Sequence, residues 1–72
     1  MLKRRRYKTG HRSFAYIKNL LEGYDNLAIM TVLDGSKGLF DLKFDESMTQ
    51  EVTTIINSIS KEVDLEEWEN IL

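Results

Sequence analysis

The residues whose types could do chemistry are cations gathered at the start of the chain. Residues 1–12 contain six of the ten basic residues and no acid, whereas residues 13–72 contain four basic residues and all twelve acids. Arginine and lysine neutralise phosphates, and a tyrosine among them can stack on a base. We therefore consider a nucleic-acid or anion site made of Lys3, Arg4, Arg5, Arg6, Tyr7, Lys8, His11 and Arg12.

The acid-rich C-terminal end offers these cations a different partner. Residues 62–72 hold five acids and no basic residue. A contact between the two ends, within one chain or between two, is at least as well supported as nucleic acid, because the acidic body of the protein repels a polyanion. An exposed ion pair contributes only about 0–1 kcal/mol, so such a contact would orient the ends more than stabilise them.

No residue pattern indicates catalysis. His11 is the only histidine. Its neighbour Ser13 is better explained as a helix cap than as a nucleophile, because residues adjacent in sequence rarely present their side chains in attack geometry. Cysteine is absent, so neither a disulfide nor a thiolate metal site can form. We predict that the protein is not an enzyme and has no catalytic residue, no metal and no cofactor.

A weaker anion site is conceivable where residues 9–13 lead into the first predicted helix. The free amides and the dipole at a helix N-terminus attract anions, and Lys8 and Arg12 would add positive charge. A simple turn and helix cap explains the same residues. A small-molecule or anion sensor is therefore the third functional interpretation.

The size of the chain predicts a single domain, 1–72, with a basic arm or first strand at 1–12 and an acidic tail element at 63–72. The core of so short a chain supplies only about 3–5 kcal/mol, and self-association is one remedy. We expect a cytoplasmic protein without membrane contact, since the sequence has no cysteine and no long apolar run. Candidate interface residues for a homodimer or a protein partner are Leu65, Trp68, Ile71 and Leu72.

Apolar residues at helical spacing predict two helices, over 13–23 and 47–62. Ser13 is the expected N-cap of the first helix, and Gly23 is expected to end it in the left-handed conformation. Ser47 and Gln50 have the spacing of a capping box at the start of the second. The apolar stripes consist of Phe14, Ile17, Leu20, Leu21 and Tyr24 in the first helix, and of Met48, Val52, Ile55, Ile56, Ile59 and Val63 in the second.

Two strands, over 26–33 and 39–44, are predicted on either side of a hairpin loop at Asp34–Gly38. The strand over 39–44 alternates, with Phe40, Leu42 and Phe44 on one face, as a half-buried antiparallel strand does. The strand over 26–33 is apolar on both faces. It must therefore lie centrally in the sheet, or have one face covered by a partner.

The two ends of the chain allow more than one interpretation. Residues 3–9 form a possible first strand, although so little apolar content makes a poor central strand. Residues 62–72 contain either a short closing strand or a helix over 65–72, and the acids near its start favour the helix. The predicted fold class is α+β, a small antiparallel sheet packed by two helices in a ferredoxin-like βαββα order, with a short C-terminal helix.

Residues 15–29, followed by Thr31–Asp34, resemble a group of short bacterial proteins known only as a domain of unknown function. The resemblance covers about residues 6–60. It implies a ferredoxin-like or ACT-like module and assigns no functional residues. The basic connection Gly10–Ser13 and the acidic tail with Trp68 differ from that family pattern.

The function most favoured by these observations is a non-enzymatic interaction or binding module, ACT-like in outline and self-associating. Nucleic-acid binding through the basic N-terminal residues is the alternative. The sensor interpretation comes third.

Overall fold

The computed structural model describes residues 1–68, which form a four-stranded antiparallel sheet and two helices. The strands occur in the order β2-β3-β1-β4. This confirms the α+β class and both helices of the prediction. The elements are β1 (Leu2–Thr9), α1 (His11–Glu22), β2 (Ile29–Asp34), β3 (Leu39–Asp45), α2 (Thr49–Ser60) and β4 (Leu65–Glu67).

One hydrophobic core lies between the helices and one face of the sheet. The predicted helical stripes point into it, with Ile17 and Leu21 buried in α1 and Val52, Ile56 and Ile59 buried in α2. The apolar face of β3 packs against the helices, because Phe40, Leu42 and Phe44 are all buried. Within residues 1–68 no element covers the opposite face of the sheet, which we call the open face.

The basic N-terminal segment is a central strand, and the expectation that it would make a poor one is wrong. β1 pairs with β3 from Leu2 to Lys8 and with β4 from Tyr7 to Thr9. The side chains of β1 find contacts on both faces of the sheet. On the helix side Tyr7 is buried, and Arg5 lies 5.5 Å from the ring centre of Phe44. A strand can therefore be central with few apolar residues when its cations are matched by neighbours.

The apolar strand after α1 lies at an edge of the sheet, and its predicted central position is wrong. β2 begins at Ile29, after a turn over 23–27, and its one neighbour among the described residues is β3. Ile29 is 61 % exposed, and Val32 and Leu33 are each 42 % exposed. The other interpretation of this strand, that one face is covered by a partner, stays a prediction.

The hairpin between β2 and β3 forms where the sequence predicts it. Asp34 Oδ1 accepts hydrogen bonds from the backbone N–H groups of Ser36 and Lys37, which closes a single 3-10 turn over Gly35–Lys37. Gly38 then adopts φ +69°, the left-handed conformation. A Cβ on Gly38 would lie 2.1 Å from the Thr9 carbonyl oxygen, so this position requires glycine.

The C-terminal segment forms a strand, and the predicted helix over 65–72 is wrong for its described part. β4 pairs with β1, where Lys8 lies opposite Glu66 and Thr9 opposite Leu65. β1 has backbone groups free on the side away from β3, and pairing satisfies them. A helix of eight residues is by contrast marginal on its own. The basic and acidic ends thus meet within the chain by strand pairing, and no ion pair between them occurs within residues 1–68.

Three predicted helix boundaries are also corrected. α1 begins at His11, and its N-cap is Gly10, so Ser13 lies inside the helix. Gly23 ends α1 at φ −73°, in the right-handed region. The capping box at Ser47 does not form, because Asp45 accepts the Ser47 N–H and a 3-10 turn precedes α2. Neither helix within residues 1–68 is long and apolar enough to span a bilayer.

Candidate functional site

The open face presents three rows of side chains that run across the strands. Successive side chains of a strand point to opposite faces, so the burial of Tyr7 and Phe40 against the helices places their neighbours on the open face. The registers between strands then define the rows. These are Ile29, Lys43 and Arg4; Thr31, Asp41 and Arg6; and Leu39, Lys8 and Glu66.

The middle row is organised by an ion pair between Arg6 and Asp41. Arg6 Nε lies 2.8 Å from Asp41 Oδ1 and Nη2 lies 3.2 Å from Oδ2, so the guanidinium is held side-on by both carboxylate oxygens. The side chain of Asp41 is only 4 % exposed, whereas that of Arg6 is 33 % exposed. The hydrogen bond to Asp41 raises the pKa of Arg6 above its usual value. Arg6 is therefore fixed in place, always charged and still reachable from solvent.

The first row places two cations directly opposite each other. Arg4 pairs in register with Lys43. Like charges at opposite positions of an antiparallel pair destabilise each other. Arg4 Nε also reaches Asp41 Oδ2 at 3.8 Å, and no ion pair of Lys43 occurs within residues 1–68. This end of the open face therefore has positive charge that the described residues do not fully neutralise.

Trp68 borders the same face beside Arg6. Its backbone N–H donates to the Arg6 carbonyl oxygen at 2.7 Å, one residue past the end of β4. Alternation from Glu67, which lies opposite Tyr7, assigns Trp68 to the open face. The residue is 44 % exposed. Trp68 therefore adds an exposed apolar residue to the open face, in register with Arg6.

The structure separates the eight basic and aromatic residues that the sequence groups together. Arg4, Arg6 and Lys8 lie on the open face, while Lys3 and Arg5 lie on the helix side of β1. Arg5 Nη1 donates to Thr53 Oγ1 of α2 at 3.2 Å. The remaining members differ again: Tyr7 is buried in the core, and His11 and Arg12 are exposed in the first turn of α1.

Tyr7 is not accessible to a base, contrary to the expectation from sequence. Its ring stacks on Phe40 with centroids 5.7 Å apart, and the residue is 2 % exposed. Burial raises the pKa of its phenol. The hydroxyl has no hydrogen-bond partner within the described part of the chain. Tyr7 is therefore a core residue with an unsatisfied polar group.

Two residues of the open face were missed by sequence reasoning, Asp41 and Lys43. The alternation of β3 in the sequence could have identified them, because burial of Phe40, Leu42 and Phe44 on one face requires the residues between them to lie on the other face. What the sequence alone could not supply is their alignment with β1, which joins residues about 35 positions apart in the chain.

The predicted interface residues are also divided. Leu65 is half-buried and packs against the core, and Trp68 borders the open face. Ile71 and Leu72 lie outside the described residues. The exposed apolar residues of β2 were not among the predicted ones, and together with a groove between β2 and α1 they form the other candidate surface. That groove is lined by Lys18, Leu21, Glu22, Asp25, Ala28, Ile29, Met30 and Val32.

The helix entry at residues 9–13 is a turn and cap, and the anion site expected there stays a prediction. Gly10 caps α1 without a side-chain hydrogen bond, and the buried Thr9 hydroxyl donates to the Asp64 carbonyl oxygen. Across residues 1–68, no three histidine or acidic side chains are grouped in a way that could hold a metal ion.

Comparison with known protein families gives a match to the family described as "Domain of unknown function (DUF4911)", over residues 11–63. The chain belongs to this family. The match runs from α1 to the residues after α2, so β1, β4 and the cations of β1 lie outside it. No curated protein and no solved structure matches the chain.

Proposed function

We propose that this domain is a non-enzymatic interaction module that self-associates by pairing β2 of one copy with β2 of a second. The observation that carries the proposal is the exposed edge strand β2, whose most exposed side chain, Ile29, is apolar and 61 % accessible. The order of the elements and of the four strands supports a ferredoxin-like fold, ACT-like in outline. A cytoplasmic location remains a prediction, favoured by the absence of cysteine.

The composition of β2 differs from that of a protected edge. Natural sheets guard an exposed edge with charges, especially lysine, with proline or with a very short strand. β2 has five uncharged residues in succession, Ile29–Leu33, and its one charged residue, Asp34, is engaged by the following turn. An edge of this kind is a template for a further strand.

A second copy of the same chain suits this edge. Pairing of two identical strands about a two-fold axis is antiparallel: if residue i of one copy faces residue j of the other, then j also faces i, and only a residue on the axis faces its own copy. Since Ile29–Leu33 carries no charge, self-pairing meets no repulsion within the strand. It would bury apolar surface that the monomer leaves in water, which supplements the small core of a 72-residue chain.

The test compares the self-association of two leucine- or isoleucine-to-lysine variants by sedimentation velocity over a wide concentration range. Ile29→Lys introduces a charge at the edge strand, and about a tenfold or greater weakening of self-association is expected, because lysine on an edge strand opposes pairing with a further strand. Leu2→Lys is the matched control, because Leu2 is also exposed and apolar but lies at the start of β1. The control should self-associate like the parent protein.

Two results would overturn the proposal. One is a parent protein that remains monomeric at high micromolar concentration. The other is a loss of self-association that is equal in the Ile29→Lys and Leu2→Lys variants, which would show that the edge has no special role.

A further inference from the structure

We propose that the open face binds single-stranded nucleic acid, with phosphates at Arg4, Lys8 and Lys43 and a base stacked on Trp68. This inference does not depend on self-association, because all four residues belong to one copy of the chain. It also differs from a flexible basic arm. The ligand would lie across a rigid sheet, and Lys3, Arg5 and Tyr7 would take no part.

The arrangement of charge supports a ligand with negative groups. Arg4 and Lys43 are directly opposite each other, so a phosphate between them would relieve their mutual repulsion. The nearest carboxylate, that of Asp41, is almost fully buried and already held by Arg6. It therefore orients Arg6 and adds little repulsion toward an incoming anion. Two other acids of this face, Asp34 and Asp45, accept hydrogen bonds from turns at the ends of their strands. A third, Glu66, lies opposite Lys8 on β4, so the least compensated charge is at Arg4 and Lys43.

The spacing of the cations indicates a polymer and not a single small anion. Arg4 and Lys8 are four residues apart on β1, a separation of about 13 Å at the usual rise of a strand. Lys43 lies one strand away from Arg4, roughly 5 Å across the sheet. No single phosphate reaches all three, whereas consecutive phosphates of one strand can.

Trp68 distinguishes a nucleic acid from an acidic peptide. It is exposed, and its backbone N–H donates a hydrogen bond to the carbonyl oxygen of Arg6, which lies between Arg4 and Lys8 on β1. Stacking on an aromatic ring is available to every base and is a main source of affinity for single strands. Open four-stranded sheets with cations and aromatic rings can hold splayed bases, whereas a duplex keeps its bases stacked inside.

The first experiment measures binding of fluorescently labelled oligo(dT) and oligo(rU) by anisotropy at several salt concentrations. Three phosphate contacts predict a slope of about −2 in a plot of log K against log salt, since each contact contributes about −0.7 for single strands. The variant Arg4→Gln/Lys8→Gln/Lys43→Gln should lose at least about tenfold in affinity at low salt and most of this slope.

A matched control removes the same amount of charge elsewhere. Lys18→Gln/Lys37→Gln/Lys61→Gln also lowers the net charge by three, but its lysines lie on α1, in the hairpin turn and after α2. It should bind within about twofold of the parent at the same salt, because its cations make no phosphate contact. Thermal unfolding followed by circular dichroism verifies that both triple variants are folded.

The second experiment reads the base contact. Trp68 is the only tryptophan, so its fluorescence should be quenched as oligonucleotide is added. Trp68→Ala should weaken binding by about 5- to 150-fold, the range expected for loss of one stacked base. In an NMR titration of the parent protein, shifts should concentrate in β1, β3 and the indole of Trp68, with α1 and α2 unaffected.

The following outcomes would overturn the inference. These are no binding at low salt, equal loss of affinity in the two triple variants, or tighter binding of duplex than of single strands. If poly-glutamate binds as tightly as the oligonucleotides and does not quench Trp68 fluorescence, the open face binds an acidic protein instead. Ile29 lies in the row of Lys43 and Arg4, so the Ile29→Lys variant should bind oligonucleotide at least as tightly as the parent while its self-association weakens. Failure of this inference and failure of self-association are therefore distinguishable.

Discussion

Arg6 and Asp41 lie opposite each other on β1 and β3, and both nitrogen–oxygen contacts between them are within hydrogen-bond distance, at 2.8 and 3.2 Å. This relationship explains how a strand with four consecutive cationic residues, Lys3–Arg6, can be central. A side-on guanidinium and carboxylate pair is among the stronger polar contacts in proteins. It places a fixed positive charge in the middle of the open face.

The first prediction concerns loss of this pair. Asp41→Asn should lower the free energy of unfolding by about 1–3 kcal/mol, because Arg6 loses its charged partner. Solvent reaches part of the Arg6 side chain, which limits the loss. The urea midpoint is the measurement. The double variant Arg6→Leu/Asp41→Leu should lose less stability than the sum of the losses in the single variants Arg6→Leu and Asp41→Leu. An Asp41→Asn midpoint equal to that of the parent would contradict the assigned role.

The second prediction concerns the hairpin. Gly38→Ala should destabilise the protein by at least about 2 kcal/mol, because the residue has positive φ and the new Cβ would collide with the Thr9 carbonyl oxygen. Gly35→Ala is the matched control. Its Cβ would meet Phe14 Cε2 at an ordinary 3.6 Å, so its effect should stay within about 1 kcal/mol. Equal effects of the two substitutions in thermal unfolding would refute the geometry.

The third prediction concerns the buried hydroxyl of Tyr7. Tyr7→Phe should leave stability unchanged or raise it by up to about 1 kcal/mol, because the hydroxyl is buried without a partner within residues 1–68. Tyr16→Phe provides the comparison, since Tyr16 donates a hydrogen bond to Glu62 Oε1 at 2.8 Å. A clear loss of stability in Tyr7→Phe alone, measured by urea unfolding, would mean that the hydroxyl does have a partner.

The fourth prediction concerns acid. Hydrogen bonds from the Ser47 hydroxyl and N–H, followed by the amino group of Met1, lower the pKa of Asp45 from 3.8 to about 2. The folded state therefore prefers the ionised carboxylate. The resulting stabilisation is present above pH 3.8 and disappears as the pH falls toward 2.

Ser47→Ala tests that assignment. It should raise the pKa of Asp45 toward its usual value and make stability less dependent on pH in this acid range, since the largest cause of the shift is removed. NMR titration of the Asp45 carboxyl carbon is the direct measurement. An unchanged midpoint in the variant would rule out Ser47 as the cause.

Local patterns in the sequence predicted the elements that depend on neighbouring residues. The stripes around Ile17 and Ile56 identify both helices, and the segment Asp34–Gly38 identifies the hairpin. The periodicity of each element is decided within about a dozen residues, so no distant contact is needed.

The errors occurred where distant segments meet. β1 is central because Asp41, 35 residues later, neutralises Arg6. Residues 65–67 form a strand because β1 offers them an edge, which outweighs the weak helical preference of so short a segment. The same nonlocal pairing decides which face Lys43 and Trp68 share, so the open face could not be recognised from sequence spacing alone.

Hydrogen exchange at β2 tests the proposed self-association most directly, because it reads the backbone of the edge strand itself. The β2 amides that do not point toward β3 should exchange quickly in dilute protein and become protected as the concentration rises. The amides that form hydrogen bonds between β1 and β3 should show similar protection at every protein concentration. Exchange of the outer β2 amides that stays fast at every concentration would contradict pairing of this edge between copies.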